Sequence, residues 1–134
     1  MNEILLSLHP EYWELIKSGK KTIEVRKTKP QNMFYPFRVI VYVTGGIGIV
    51  GKFDCSQIIQ TIRPEQFAGM GRSCLTEEQL IAYAAGKPLC GWYIKEDSVL
   101  EYETPFPLER VGLKRPPQSW QYLHKEGCTW KKKN

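Results

Sequence analysis

Apolar and polar positions alternate in short blocks of changing period, and each block predicts its own element. Residues 4–8 (ILLSL) are almost uniformly apolar and suit a short, well-buried strand. Pro10 then fits a first helical position, while Glu11 and Glu14 favour the positive end of a helix dipole. The pairs Tyr12–Leu15 and Trp13–Ile16 give that helix an apolar face, and Gly19 suits the residue past its end, so residues 10–18 read as two helical turns. Residues 20–27 (KKTIEVRK) switch to period two. Alternation puts Lys21, Ile23 and Val25 on one strand face, with Lys20, Thr22, Glu24 and Arg26 on the other.

Residues 38–44 (RVIVYVT) form a β-branched strand, and Gly45-Gly46 connects it to a second strand over 47–54. Gly48 and Gly51 predict a bulge or bend in that hairpin, and residues 55–63 continue extended or begin a crossover. One helical turn is expected at 64–68. Thr76-Glu77-Glu78-Gln79 is a capping box before the stripe Leu80, Ile81 and Ala84, with Gly86 and Pro88 as stop signals, predicting a helix over 77–85. Residues 89–95 and 99–104 read as strands around the turn Glu96-Asp97-Ser98. Four prolines between 105 and 117 predict irregular chain, followed by a short strand or turn at 118–123. Without long crossover helices, the order β-α-β-β-β-(α)-α-β-β predicts a mixed α+β fold: a small β-barrel of about five or six strands with short flanking helices. That domain covers residues 1–125, and residues 126–134 form a basic tail.

Composition narrows the class. The 134 residues are 42% hydrophobic and 25% charged, which excludes a disordered chain. No apolar run reaches the roughly 18 residues that cross a bilayer, and no basic n-region opens the chain, so a cytoplasmic protein without a membrane partner is expected. Cys55, Cys74, Cys90 and Cys128 show no C-x-x-C pair, and His9 and His124 stand at opposite ends; free, mostly buried thiols are expected, with no metal or cofactor.

The net charge of +5 is unevenly spread. Residues 1–38 carry seven basic against four acidic groups, residues 95–109 one lysine against five acids, and residues 110–134 seven basic groups against Glu126. If the two basic ends meet in space, they form one basic surface suited to an anionic partner.

The face bearing Lys20, Thr22, Glu24 and Arg26 is the clearest candidate site. Cations hold phosphate oxygens, and a carboxylate among them accepts from a base edge or exocyclic amine. The same pattern also describes an exposed strand face with salt-linked charges. Lys114-Arg115, in a proline-constrained loop, and Lys131–Lys133 supply further cations. Trp92, Tyr93, Trp120, Tyr122 and Trp130 offer rings for base stacking, although a strand position suits core filling for Trp92 or Tyr93, and loop packing suits Trp120. The glycine-rich GGIGIVG (45–51) leads into a strand and so offers no helix dipole to a phosphate.

The segment SLHPEYWELIKSGKKTIEVRK (7–27) resembles the opening of the ASCH domain, a branch of the PUA-like superfamily. The resemblance rests on the strand at 5–8 and on Pro10, Ile16, Gly19, Lys20, Lys21, Thr22, Glu24 and Arg26. The strand at 38–44, Gly51, the helix at 77–85 and the strand around Trp92 and Tyr93 follow in a fitting order. RPPQSWQYL (115–123) looks like the ending of ASCH-like proteins from phages and prophages. The resemblance implies a cleft lined by the Lys-Thr-x-Glu-x-Arg strand in a family mainly inferred to bind RNA or other nucleic acid. Lys20, Lys21 and Arg26 would contact an RNA or nucleotide-like ligand, with Thr22 and Glu24 for polar recognition and Lys114 and Arg115 at the mouth.

An alternative is a small hydrolase acting on RNA phosphodiesters or on a modified nucleoside, with Lys21 and Glu24 as its acid–base pair. One branch of the family removes the acetyl group of N4-acetylcytidine using a lysine, a threonine and a distant glutamate. Its lysine falls on Lys21, but its nucleophilic threonine falls on Glu24, which has no hydroxyl. Thr22 keeps a hydroxyl, yet by alternation points away from Lys21. A third alternative is a phage accessory protein working through protein contacts.

Overall fold

A computed structural model describes residues 3–69 and 71–123. In chain order the elements are β1 (Glu3–Leu8), α1 (Pro10–Lys17), β2 (Ile23–Arg26), β3 (Phe37–Val43), β4 (Gly48–Thr61), α2 (Gln66–Gly69), α3 (Glu77–Ala84), β5 (Leu89–Ile94), β6 (Leu100–Phe106) and β7 (Trp120–Leu123). A short 3-10 turn, Leu108–Val111, separates the last two strands.

The apolar first block becomes β1, buried throughout because it lies inside the sheet. It pairs in parallel with β3 and antiparallel with β7, so the two ends of the domain meet as neighbouring strands, Glu3 opposite Leu123. The full order is β2-β5-β4-β3-β1-β7, with β6 attached to β4. The mixed α+β class stands as expected. Among the described residues the backbone ladder remains open between β2 and β7, and the barrel takes the form of one curled seven-stranded sheet. A side chain bridges its ends: Arg26 of β2 reaches Ser7 of β1 and Ser119 beside β7.

The predicted hairpin is β3–β4, and its register slips between Gly51 and Ile49, which places a bulge at Val50 between the two flagged glycines. Strand β6 crosses there. A Cβ at Gly51 would collide with the carbonyl oxygen of Leu100 and press on the ring of Trp13, so only glycine lets the strands approach. The following residues stay extended, and β4 runs to Thr61, pairing with β5 beyond Cys55. Strands β5 and β6 therefore attach to different stretches of β4 and do not form a hairpin with each other. Strand β6 continues through Pro105, which an edge strand tolerates.

The main core packs Leu6, Trp13, Phe37, Phe53 and Trp92, and a second cluster seats α3 through Leu80 and Ala84 against Ile23, Phe67 and Leu89. The Thr76 hydroxyl accepts from the Gln79 amide at 3.1 Å, and the Gln79 side chain accepts from the Thr76 amide at 2.9 Å, as the capping box predicts. Thr76→Ala removes one of these bonds and is expected to cost about 1 kcal/mol, read as a lower urea midpoint with an unchanged slope.

Candidate functional site

The end of α1 sets the site. Gly19 takes a left-handed φ of 83°, and the amides of Lys20 and Lys21 both donate to the Leu15 carbonyl. This closure holds Lys21 outside β2, which starts only at Ile23, so strand alternation does not govern residues 20–22. The expectation that Lys21 and Glu24 lie on opposite faces is corrected accordingly. Lys21 turns inward, 2% exposed, and its Nζ lies 3.5 Å from Glu24 Oε1 while donating to the Ser73 carbonyl. It also sits 5.2 Å from the centroid of the Tyr12 ring.

Glu24 and Arg26 share a face, as period two requires. Arg26 grips Glu24 Oε2 with Nε at 2.8 Å and Nη2 at 2.7 Å. Its remaining donors reach the Ser119 hydroxyl at 3.1 Å and the Ser7 carbonyl at 2.9 Å. Much of this guanidinium is thus committed to the fold. Glu24 Oε1, by contrast, is buried and has no hydrogen bond. Two cations against one carboxylate leave the cluster positive, a setting that favours an anion.

These groups line a cleft of about 360 Å³. Besides the cluster, its walls include His9 and Tyr12 from the start of α1, Thr44 after β3, Gln79 and Tyr83 from α3, and Gln118. His9 Nδ1 lies 3.3 Å from the Thr44 hydroxyl, which fixes one side of the imidazole. Burial pushes the Tyr83 phenol above its ordinary range, and Lys27 lies over that ring at 4.8 Å. His9, Tyr12 and Tyr83 were not singled out by the strand pattern. The signal for His9 was its place just before Pro10; Tyr83 gave none, because its wall depends on how α3 docks.

The other expected positions lie apart from the cleft lining. Lys20 is exposed, and Thr22 uses its hydroxyl to accept from Arg72 Nε at 2.7 Å. Lys114 and Arg115 are exposed, and Lys114 borders a wider depression of about 900 Å³ shared with Tyr42, Ile47, Pro105 and Leu113. That depression is larger, yet it brings together no comparable cluster of buried charge. Trp92 fills the core, and Trp120 packs edge-on against it, their centroids 5.8 Å apart. His124, Cys128, Trp130 and Lys131–Lys133 lie outside the described residues. Cys55, Cys74 and Cys90 are free; Cys74 is exposed, and burial raises the Cys55 thiol to about 12, which leaves it inert as a nucleophile.

The ASCH domain matches residues 6–111, most of the chain. The protein belongs to the ASCH domain family. An ASCH domain-containing ribonuclease from Zymomonas mobilis is 29% identical over 132 residues, covering 92% of this chain and 86% of the relative. The crystal structure of ASCH from Zymomonas mobilis superposes with a TM-score of 0.75 at 28% identity, covering 92% of this chain and 89% of that one. A serine-to-alanine mutant of that protein gives a TM-score of 0.76 at 26% identity, again covering 92% and 89%. The curled sheet and its short helices are thus the ASCH architecture. Among the described residues no helix of this ASCH domain is long and apolar enough to cross a membrane.

Proposed function

We propose that this ASCH domain binds RNA in the cleft between α1, β2 and α3 and cleaves its phosphodiester backbone. The observation that carries the reading is the Lys21–Glu24–Arg26 cluster, positive overall, set in the wall of the cleft with one carboxylate oxygen ion-paired to Lys21 but free of hydrogen bonds. The likeness, over 92% of this chain, to a protein named a ribonuclease supports it.

The chemistry follows from the groups present. A phosphate seated in the positive field of Lys21 has its developing charge stabilised as a 2′-hydroxyl attacks the adjacent phosphorus. The new O–P bond forms as the bond to the 5′-oxygen breaks, leaving a 2′,3′-cyclic phosphate and a free 5′-hydroxyl. The 2′-hydroxyl proton must leave and the 5′-oxygen must receive one. His9, held through Nδ1 by Thr44, has its other ring nitrogen available for that transfer. The Glu24 carboxylate, which lines the cleft, is the acceptor for a ribose hydroxyl or a base amine brought into it. Nucleoside deacetylation fits less well: position 24 lacks the hydroxyl, and that of Thr22 is bound to Arg72.

Incubation with single-stranded RNA and, separately, with N4-acetylcytidine tests the reading. RNA cleavage to cyclic-phosphate ends is expected, without deacetylation; nucleoside turnover without RNA cleavage would reverse the assignment. His9→Ala is expected to lower kcat by about 10²–10⁴ and flatten one limb of its pH profile while KM changes little. An unaltered pH profile removes His9 from proton transfer.

A further inference from the structure

We infer that the loop over residues 27–36 is a second RNA-binding element, which carries single-stranded nucleotides away from the cleft by stacking their bases on Phe34 and Tyr35. The inference rests on the reading of the cleft as an RNA site. The loop starts at the cleft itself, directly after Arg26, with Lys27 lying over the Tyr83 wall at 4.8 Å. From Arg26 onward the chain carries Lys27, Lys29, Arg38 and Lys52 and meets no acidic residue before Asp54. Arg38 is spoken for by Glu3, which leaves Lys27 and Lys29 as the cations of the loop.

The loop is fixed in place. Trp92 Nε1 donates to the Thr28 carbonyl at 3.3 Å, Trp120 Nε1 to the Thr28 hydroxyl at 2.9 Å, and the Gln31 amide to the Tyr122 hydroxyl at 2.7 Å. A loop so well anchored nevertheless ends in two adjacent exposed rings, Phe34 at 78% and Tyr35 at 46% exposure. Tyr35 packs edge-on against Phe37, which holds its plane. Lys27, Lys29 and the two rings therefore share one short loop that leaves the cleft at Arg26.

Exposed rings beside lysines, without carboxylates, match the chemistry of a single strand: rings stack any base, and lysines follow the phosphates. An apolar protein partner would have no use for the lysines. The Tyr35 ring, already held against Phe37, also loses little freedom on binding.

The test compares a single-stranded RNA of about twelve nucleotides with a dinucleotide monophosphate, which occupies the cleft alone. Fluorescence anisotropy for the longer strand and competition for the shorter one give both affinities. Phe34→Ala is expected to weaken the long strand by about five- to a hundredfold and leave the dinucleotide unchanged. Lys29→Gln is expected to make the log–log salt slope for the long strand shallower by about 0.7. An unchanged affinity of Phe34→Ala for the long strand, with wild-type binding intact, overturns the inference and spares the cleft. Equal losses for both RNAs overturn it as well, since the loop would then act through the cleft. Binding of neither RNA by the wild type overturns the cleft reading and this one together.

Discussion

Glu24→Ala is expected to abolish RNA cleavage and to destabilise the domain by about 3–5 kcal/mol, because it leaves a buried cation uncompensated. Lys21 would keep only the Ser73 carbonyl and the face of Tyr12, with almost no access to water. Arg26 would lose both bonds to Oε2 but keep Ser7 and Ser119. Lys21→Met is the informative partner. It leaves Glu24 paired with Arg26, so its cost to stability is expected to be smaller, although the charge proposed to hold phosphate is gone. In the Lys21→Met background, Glu24→Ala should then cost less than it does alone, and urea unfolding of the four proteins gives the coupling directly. Strict additivity would mean that the two side chains do not support each other. Glu24→Gln separates the roles: it preserves the shape, so activity is expected to fall much further than stability.

Trp92→Ala is the second large effect, a loss of about 3–5 kcal/mol from cavity formation in the main core. The ring is 0% exposed and lies edge-on to Phe37 and Trp120, at 6.0 and 5.8 Å. Its indole also donates to Thr28, so the loop carrying Phe34 and Tyr35 loses an anchor. Amide hydrogen exchange over residues 27–36 should accelerate by more than global destabilisation requires. If the loop exchanges only through global unfolding, Trp92 is a packing residue alone.

How far the chain could be read follows the range of the interactions. The capping box of Thr76 and Gln79, the Gly45-Gly46 hairpin and the bulge at Val50 are local, and each sits where its pattern places it. The pairing of Glu24 with Arg26 also needed only period two. The placement of Lys21 did not follow, because the end of a preceding helix, not a strand, sets its direction. The α3 wall with Tyr83 depends on Leu80 and Ala84 docking against Phe67 and Leu89, contacts invisible to any window of neighbouring residues. The position of Lys114 is non-local as well: charge balance alone does not show that its proline-rich loop borders the wider depression with Tyr42 and Ile47.

The Arg26 bridge between the first and last strands has a consequence for when the site exists. Its anchors are Ser7, near the start, and Ser119, 93 residues further along the chain than Arg26 itself. Closing so long a loop is entropically slow and yields its contacts late. During synthesis, Glu24 and Lys21 leave the ribosome early, while the support behind Arg26 arrives only with β7. A nascent chain therefore carries the charged cluster for most of its translation without the frame that orients it, and the assembled cleft on which the proposed RNA chemistry depends comes only with β7.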